Sequence, residues 1–199
     1  MEVQILWGPL IFFMLIGICG KMGSGKDTIA EHLAREFQGQ RMSFARKLKS
    51  VVANLFNVDK NDKRGREILQ KVGAFMRSIN EFVWIDAINY DMSILKLGGC
   101  ENFIISDVRY VNEAESIIKD SGIVIVLNIS SNIRRERIEK RDGKKISDSD
   151  WIDMNSHESE SDIAMIRLID GVENVFITPN DDEDIVNMKV KGCLPKVIL

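Results

Sequence analysis

A glycine-rich stretch near the start of the chain has the residue types and the spacing of a phosphate-binding loop. It reads Gly20-Lys21-Met22-Gly23-Ser24-Gly25-Lys26-Asp27-Thr28. This fits the pattern G-x-x-x-x-G-K, although Asp27 stands where Ser or Thr is usual. Glycines let such a loop curl so that successive N–H groups point at phosphate oxygens, and Lys26 adds a full positive charge. The pattern predicts that the whole stretch binds a nucleoside triphosphate.

The residues on either side of the loop fit the strand and the helix that it needs. The apolar run from Leu15 to Cys19 predicts a buried strand, and Ile29, Leu33 and Phe37 recur at the spacing of one helix face. The N-terminus of that helix would add partial positive charge beside Lys26. The alternative is a glycine-rich turn whose lysine is only solvated. That alternative requires the strand, the loop and the helix to occur together by chance.

Three acidic or hydroxyl side chains could hold a metal ion next to the phosphates. Asp107 follows the apolar run Phe103 to Ser106, which predicts a strand ending at the sheet edge that carries the loop. A carboxylate there can hold Mg²⁺ and so neutralise phosphate charge. Asp27 or Thr28 could supply a further ligand, and the sequence leaves both open. The alternative for Asp107 is a structural cap on the next turn.

Three arginines fall on one face of a predicted helix. Arg134, Arg137 and Arg141 are spaced at i, i+3 and i+7, and like charges aligned in this way are mildly unfavourable. An anionic partner would explain the arrangement, because a phosphoryl group in transfer needs its charge neutralised. With Lys26, these arginines are the candidate catalytic residues. The alternative is a solvated basic face.

A predicted helix over residues 66–78 carries candidates for binding a second substrate. Gln70, Gly73 and Arg77 share one of its faces. Glycine in that row costs about 1 kcal/mol relative to alanine, which is understandable if a ligand or a backbone approaches there. Gln70 could read the edge of a base and Arg77 could hold a phosphate; the alternative is a partly exposed polar face.

Two residues outside that helix are further candidates. Arg109 lies two residues after Asp107 and could grip an acceptor phosphate with two hydrogen bonds, or else form a surface pair with Glu113. Trp84 could stack on a base, although a core tryptophan explains it equally well. His157, near a predicted helix start, is kept out of the catalytic set because phosphoryl transfer needs little from a base.

Length and composition indicate one ordinary α/β domain. The chain has 199 residues, 45% hydrophobic and 29% charged, with a formal net charge of −3. Basic residues concentrate in residues 41–77 and 134–145, and acidic ones in residues 147–184. Two short basic segments in an acidic protein favour a small, multiply charged ligand over nucleic acid. Cys19, Cys100 and Cys193 show no metal spacing, which favours a reducing cytoplasm.

Strands alternate with helices along the chain, which predicts a doubly wound parallel sheet flanked by helices. The third helix should bury Ile68, Leu69, Val72, Phe75 and Met76. Asn80 is the predicted cap of a fourth helix, and Ser131 or Asn132 that of the arginine-rich helix. Residues 144–161 are polar and weakly patterned. Residues 1–13 are interpreted as an N-terminal extension; a membrane anchor is the weaker interpretation, so no membrane partner is expected.

Further motifs follow the phosphate loop in a fixed order. They are Gly20 to Ala30, Ser43-Phe44-Ala45 with Leu48-Lys49, Leu69-Gln70 with Gly73, Arg77, Trp84, Ile105 to Tyr110 with Asn112 to Glu115, and His157 with Ser159-Glu160. In order and spacing, the series resembles the phage-type deoxynucleoside monophosphate kinases, relatives of the adenylate kinase-like enzymes. The resemblance covers residues 14 to about 165.

The resemblance implies a single P-loop kinase domain over residues 1–199, of the nucleoside monophosphate kinase type. ATP and Mg²⁺ would be the cofactors and a (deoxy)nucleoside monophosphate the acceptor. Residues 45–98 would form a helical acceptor-binding segment and residues 131–150 a lid-like segment that carries the arginines. The implied substrate-binding residues are Lys49, Gln70, Gly73, Arg77, Trp84 and Arg109. The chain departs from the family at Arg46-Lys47, where Asp-Pro is usual, and at Ala74 and Phe75, which leaves the base preference open.

Two other functions stay open, as does the choice between monomer and homodimer. One is a kinase of the same fold for another small phosphorylated acceptor, of the phosphomevalonate or dephospho-coenzyme A type. The other is a nucleotide-dependent switch or ATPase acting on a macromolecule. Its GTPase version would need a guanine-reading N/T-K-x-D tetrapeptide, which Asn57-Val58-Asp59-Lys60 does not supply.

Overall fold

Five parallel strands form the sheet that carries the glycine-rich loop. The computed structural model describes residues 13–56, 63–155 and 158–195. The strands are β1 Met14–Gly20, β2 Gln40–Met42, β3 Asn102–Val108, β4 Ile123–Ile129 and β5 Val172–Ile177. Their order in the sheet is β2-β3-β1-β4-β5, and every pairing between neighbours is parallel. This confirms the predicted α/β class with a doubly wound parallel sheet.

Nine helices connect the strands within the described residues. They are α1 Lys26–Glu36, α2 Ala45–Phe56, α3 Lys63–Ile79, α4 Val83–Leu97, α5 Val111–Lys119, α6 Ser131–Asp142, α7 Asp148–Asn155, α8 Glu158–Ile166 and α9 Glu183–Lys191. None of the helices that the structure describes is both long and apolar enough to cross a bilayer.

The sheet has a hydrophobic core on each face. Along β1, Leu15 and Cys19 pack into one core with α2, α4, α5 and α8, whereas Ile16 and Ile18 pack into the other with α1 and α9. This alternation follows from the two-residue period of a strand. Every residue of β1 is buried, as expected for a central strand covered on both sides. The loop that follows β1 is therefore anchored in the middle of the molecule.

Several predicted helix starts and faces are wrong in detail. The fourth helix begins at Val83, and the Asn80 side chain instead accepts a hydrogen bond from the Phe82 N–H at 2.9 Å, forming a turn before the helix. The cap of α6 is Ser130, whose Oγ accepts from the Ile133 N–H at 3.4 Å. Phe75 does not face inward, since 64% of its surface is exposed. The weakly patterned stretch contains α7 and the start of α8.

Three predictions fall wholly or mostly outside the described residues. They concern the N-terminal extension 1–13, of which only Phe13 is described, the tetrapeptide at residues 57–60, and His157. Phe13 lies at the start of β1, and the Lys96 ammonium stands 3.8 Å from the centre of its ring. The three cysteines, all described, are free thiols.

Candidate active site

The loop between β1 and α1 has the backbone of a phosphate cradle. Gly23 and Gly25 have φ values of 80° and 86°, a left-handed conformation that side chains rarely adopt. A Cβ on Gly23 would also lie 2.8 Å from the Arg134 carbonyl oxygen, so both strain and space require glycine. Gly25 caps α1, which places Lys26 in its first turn, 7% exposed. The N–H groups at the start of α1 and the lysine charge thus meet at one point.

A cavity of about 400 Å³ opens beside this loop. Residues 23–29 form one wall, α6 contributes Arg137, Ile138 and Arg141, and α9 contributes Asp182, Glu183 and Val186. The volume lies in the range of small-ligand sites. Asp27 and Thr28 are both exposed at its wall. The arginine-rich helix therefore lies along the loop, which brings distant parts of the sequence to one site.

The structure separates the three predicted catalytic arginines. The Arg137 guanidinium donates to the Ser24 carbonyl at 3.4 Å, and Arg141 lines the same cavity, where its pairing with Asp142 at 2.6 Å raises the pKa of Arg141. Arg134 is only 4% exposed and donates to the Met22 carbonyl at 3.1 Å and to Asn155 at 3.0 Å. The expectation that all three face one ligand is therefore wrong for Arg134.

The position of α7 explains the burial of Arg134. The Trp151 indole donates to the Ser131 hydroxyl at 3.0 Å, so α7 covers the first turn of α6. The Trp151 ring centre lies 5.1 Å from the Arg134 guanidinium carbon, which adds a cation–π contact. Arg134 joins the phosphate loop to α7, while the C-terminal half of α6 stays open towards the cavity.

Charged contacts also fix the segment after α6, which belongs to the predicted lid. Arg135 donates to Asp148 at 2.7 Å and to the Ile146 carbonyl. Glu139 accepts from the Lys145 ammonium at 2.7 Å and from the Ile146 N–H at 3.0 Å, and these bonds lower the pKa of Glu139. Residues 145–148 are thereby held against α6.

Two of the predicted metal ligands, Asp27 and Asp107, have protein partners in this structure. Asp27 pairs with Arg41 of β2, which also donates to the Ser106 hydroxyl at 3.4 Å. The described residues contain no group of three or more Asp, Glu, His or Cys side chains that could together hold a metal ion. Mg²⁺ is commonly held by one or two carboxylates together with substrate phosphates, so exposed Asp27 and the neighbouring Thr28 hydroxyl suit it.

Asp107 has the structural partners of a helix cap. Its two carboxylate oxygens accept from the Ser43 hydroxyl at 2.7 Å, the Phe44 N–H at 2.7 Å and the Ala45 N–H at 3.0 Å. Those donors lie at the start of α2, where helix N–H groups lack partners within the helix. Asp107 is the next-to-last residue of β3, so the strand extends one residue beyond the predicted end at Asp107. The carboxylate thus ties β3 to the segment predicted to bind the acceptor.

We expect Asp107→Ala to destabilise the metal-free protein by about 1–3 kcal/mol, because three donors lose their acceptor. Urea unfolding in the presence of a chelator measures this loss. A residue that serves only as a metal ligand predicts no loss under those conditions, so an unchanged unfolding midpoint would contradict the capping role.

A second charged cluster lies where β3 passes into α5. The Arg77 guanidinium is 3.4 Å from the Glu113 carboxylate and 3.9 Å from the centre of the Tyr110 ring. The other oxygen of Glu113 accepts from the backbone N–H groups of Arg109 at 2.9 Å and Tyr110 at 3.2 Å. Arg77 rather than Arg109 is therefore the side chain that pairs with Glu113. The structure brings the Arg77 side chain and the Arg109 backbone to the same cluster.

Glu113 is an acid inside the protein, 2% exposed. Burial and then the Asp107 carboxylate raise the pKa of Glu113 to about 7, although Arg77 and the two backbone N–H groups act in the opposite direction. The folded state therefore binds a proton that the unfolded chain has already released at the same pH. Stability contributed by this group is complete below its ordinary pKa and is lost as the pH rises through about 7.

We expect the free energy of unfolding to fall by up to about 3 kcal/mol between pH 4.5 and pH 8 from this group alone. Glu113→Gln should remove that slope, and Glu115→Gln, an exposed position on the same helix, should keep it. Urea titrations of the three proteins across this range make the comparison. Parallel curves for the wild type and Glu113→Gln would contradict the predicted titration.

The remaining acceptor candidates divide into core and surface residues. Trp84 is 4% exposed and packs in the core, which excludes the stacking role considered for it. Its indole N–H donates to the Gly73 carbonyl at 3.5 Å, and a Cβ on Gly73 would lie 3.0 Å from Leu48. The lack of a side chain at Gly73 thus leaves room for Leu48 to pack against the helix. Gln70 and Lys49 are exposed.

Sequence reasoning missed several residues of the site. The only sequence signal for Arg41 was its position at the start of the basic segment, residues 41–77. Glu113 lies inside the motif Asn112 to Glu115, but there it was considered only as a partner for Arg109. No sequence pattern indicated that Asp182, Glu183 and Val186 would reach the cavity.

Comparisons with known proteins agree with the fold described above. Residues 16–163 match a protein-family model described as AAA domain. No match was found among curated proteins. Among solved structures, a sugar kinase from Janibacter sp. is 14% identical, with a TM-score of 0.55 over 91% of this chain and 94% of the other.

Two further solved structures are similar at the same level. A gluconokinase from Sinorhizobium meliloti is 15% identical, with a TM-score of 0.54 over 92% of each chain. A shikimate kinase from Acinetobacter baumannii, in complex with shikimate, is 15% identical, with a TM-score of 0.53 over 90% of this chain and 91% of the other. At such identities the likeness shows the fold, which is that of P-loop kinases.

Proposed function

The chain belongs to the AAA domain family, and from that premise we propose that it transfers the γ-phosphoryl group of ATP to a (deoxy)nucleoside monophosphate. The observation that carries the proposal is the placement of two cationic sites at one edge of the sheet. One is the phosphate loop with Lys26, Arg137 and Arg141 around the cavity. The other lies at the end of β3, the strand next to β1, where the Arg77 guanidinium pairs with Glu113 and the same carboxylate accepts from the Arg109 N–H.

In this proposal each site holds one substrate. The N–H groups of the loop and Lys26 bind the phosphates of ATP, and Arg137 and Arg141 stabilise the phosphoryl group in transfer. Arg77 and Arg109 hold the acceptor phosphate so that its oxygen attacks in line. Asp27 and Thr28 would hold Mg²⁺, which neutralises charge on the β- and γ-phosphates when bound. Arg134 positions the loop through the Met22 carbonyl and is removed from the catalytic set.

The segments keep the predicted roles within the proposal. Residues 45–98 are the helical acceptor-binding segment, in which Gln70 and Lys49 are exposed for contact with the acceptor. Residues 131–150 are the lid-like segment, and two of its arginines, Arg137 and Arg141, line the cavity. The motif series that resembles phage-type deoxynucleoside monophosphate kinases supports this acceptor class.

A coupled assay with ATP and Mg²⁺ tests the proposal across all common ribo- and deoxynucleoside monophosphates. Phosphomevalonate, dephospho-coenzyme A, gluconate and shikimate belong in the same panel, the last two because structural neighbours carry their names. We expect ADP to form only when a nucleoside monophosphate is present. Turnover of another acceptor alone would replace the substrate class, and hydrolysis without any acceptor would favour a switch or ATPase.

A further inference from the structure

Glu113 joins the two elements that carry the arginines of the second cationic site. One of its oxygens accepts from the N–H groups of Arg109 and Tyr110, in the turn between β3 and α5. The other oxygen pairs with the Arg77 guanidinium on α3, at 3.4 Å. These elements are distant in sequence, and the Glu113 carboxylate contacts both of them.

The burial of this acid needs an explanation. An isolated buried carboxylate is costly, and even a paired buried ion seldom stabilises a protein more than an apolar side chain of the same size. Asp107 of β3 adds a second negative charge nearby, which makes ionisation of Glu113 less favourable still. The presence of a buried carboxylate that contributes so little to folding is understandable if the carboxylate orders other groups.

The surroundings of Arg77 fit that purpose. Its guanidinium lies over the Tyr110 ring at 3.9 Å, so an aromatic face and a carboxylate together restrict its orientation. The side chain nevertheless keeps 23% of its surface exposed, and a guanidinium has five N–H donors in a rigid fork. Arg77 can therefore be held by Glu113 and still donate to an anion.

We propose that Glu113 is a positioning residue for the acceptor: it orients Arg77 and fixes the turn of Arg109 so that both receive the acceptor phosphate. The inference rests on the proposed function, because it assumes that this cluster binds the acceptor. It assigns Glu113 no direct contact with the reacting atoms. Because the carboxylate acts through Arg77, its effect on catalysis should depend on the presence of Arg77. A general structural role would not depend on Arg77 in this way.

A double-mutant cycle of Arg77→Ala and Glu113→Gln tests this dependence. Glutamine keeps the shape of the side chain and an oxygen for the turn, but it cannot form the ion pair with Arg77. We expect Glu113→Gln to lower kcat/KM for the acceptor by about tenfold, with the KM for ATP nearly unchanged. In the Arg77→Ala background the same change should have an effect of less than about twofold. Glu115→Gln is the matched control on α5.

Each outcome of the double-mutant cycle either supports or overturns the positioning role of Glu113. Independent, multiplying effects of the two changes in an active kinase would overturn the inference and leave the proposed function standing. So would an equal rise in the KM for ATP, because a positioning residue for the acceptor should not affect the donor site. If the wild type phosphorylates no nucleoside monophosphate, the proposed function fails and the role of Glu113 falls with it. Melting temperatures of all variants show whether lost activity reflects lost folding.

Discussion

Replacing Lys26 with alanine is expected to lower phosphoryl transfer by roughly a thousandfold while the protein still folds. Lys26 stands in the first turn of α1, within the curl of the glycine-rich loop, where its charge meets the N–H groups of the helix start. A phosphoryl group in transfer carries charge that water can no longer screen in a closed site, so a missing cation raises the barrier directly. The measurement is the initial rate with the best acceptor of the panel.

The control for this change is Lys119→Ala, an exposed lysine at the end of α5. It alters the net charge equally and should leave the rate unchanged. Circular dichroism melting of Lys26→Ala should retain a cooperative transition. If that transition collapses, Lys26 supports the fold rather than the chemistry; if the rate stays within about tenfold of the wild type, the loop is not the donor site.

Arg77→Ala is expected to lower kcat/KM for the acceptor by roughly a hundredfold, which corresponds to about 3 kcal/mol. In the proposed function this change removes a charge-assisted contact between the Arg77 guanidinium and the acceptor phosphate. The KM for ATP should change little, since the proposed function assigns the phosphates of ATP to Gly20 to Thr28. Initial rates with each substrate varied in turn give both constants.

Lys71→Ala provides the matched control, because Lys71 is an exposed cation on the same helix. It should leave both constants within about twofold of the wild type. The opposite pattern for Arg77→Ala, a raised KM for ATP with the acceptor unaffected, would place the acceptor elsewhere. Since Arg77 is also the partner of buried Glu113, the melting temperature of the variant must be measured beside its kinetics.

Regular patterns in the sequence were sufficient to predict a parallel sheet flanked by helices. The apolar run Phe103 to Ser106 predicted β3, which the structure extends to Asn102–Val108, because a strand buried on both faces admits few polar residues. Helix ends were less predictable. Asn80 and Ser131 are good capping types, but the chain uses Phe82 and Ser130 at those starts, since tertiary packing fixes where the helical dihedrals begin.

Side-chain roles were harder to predict than elements. The helix face of Arg134, Arg137 and Arg141 was correctly recognised as a row, but nothing in the row indicated that α7 would cover its first member. Phe75 fits an inward position by spacing and yet is exposed. Whether such a side chain is buried depends on which helix or strand packs against it. This packing is determined by contacts between segments far apart in sequence, which a local pattern does not contain.

The position of β1 in the sheet bears on how the chain folds as it is synthesised. Its neighbours are β3 and β4, which are separated from it by at least four helices, and pairing between such distant segments is slow because long loops must close first. A nascent chain that ends before Ile123 lacks one of the two strands that flank β1. The Arg134 contact to the Met22 carbonyl comes later still. The glycine-rich loop, translated among the first residues, is therefore completed only after more than half of the polypeptide has left the ribosome.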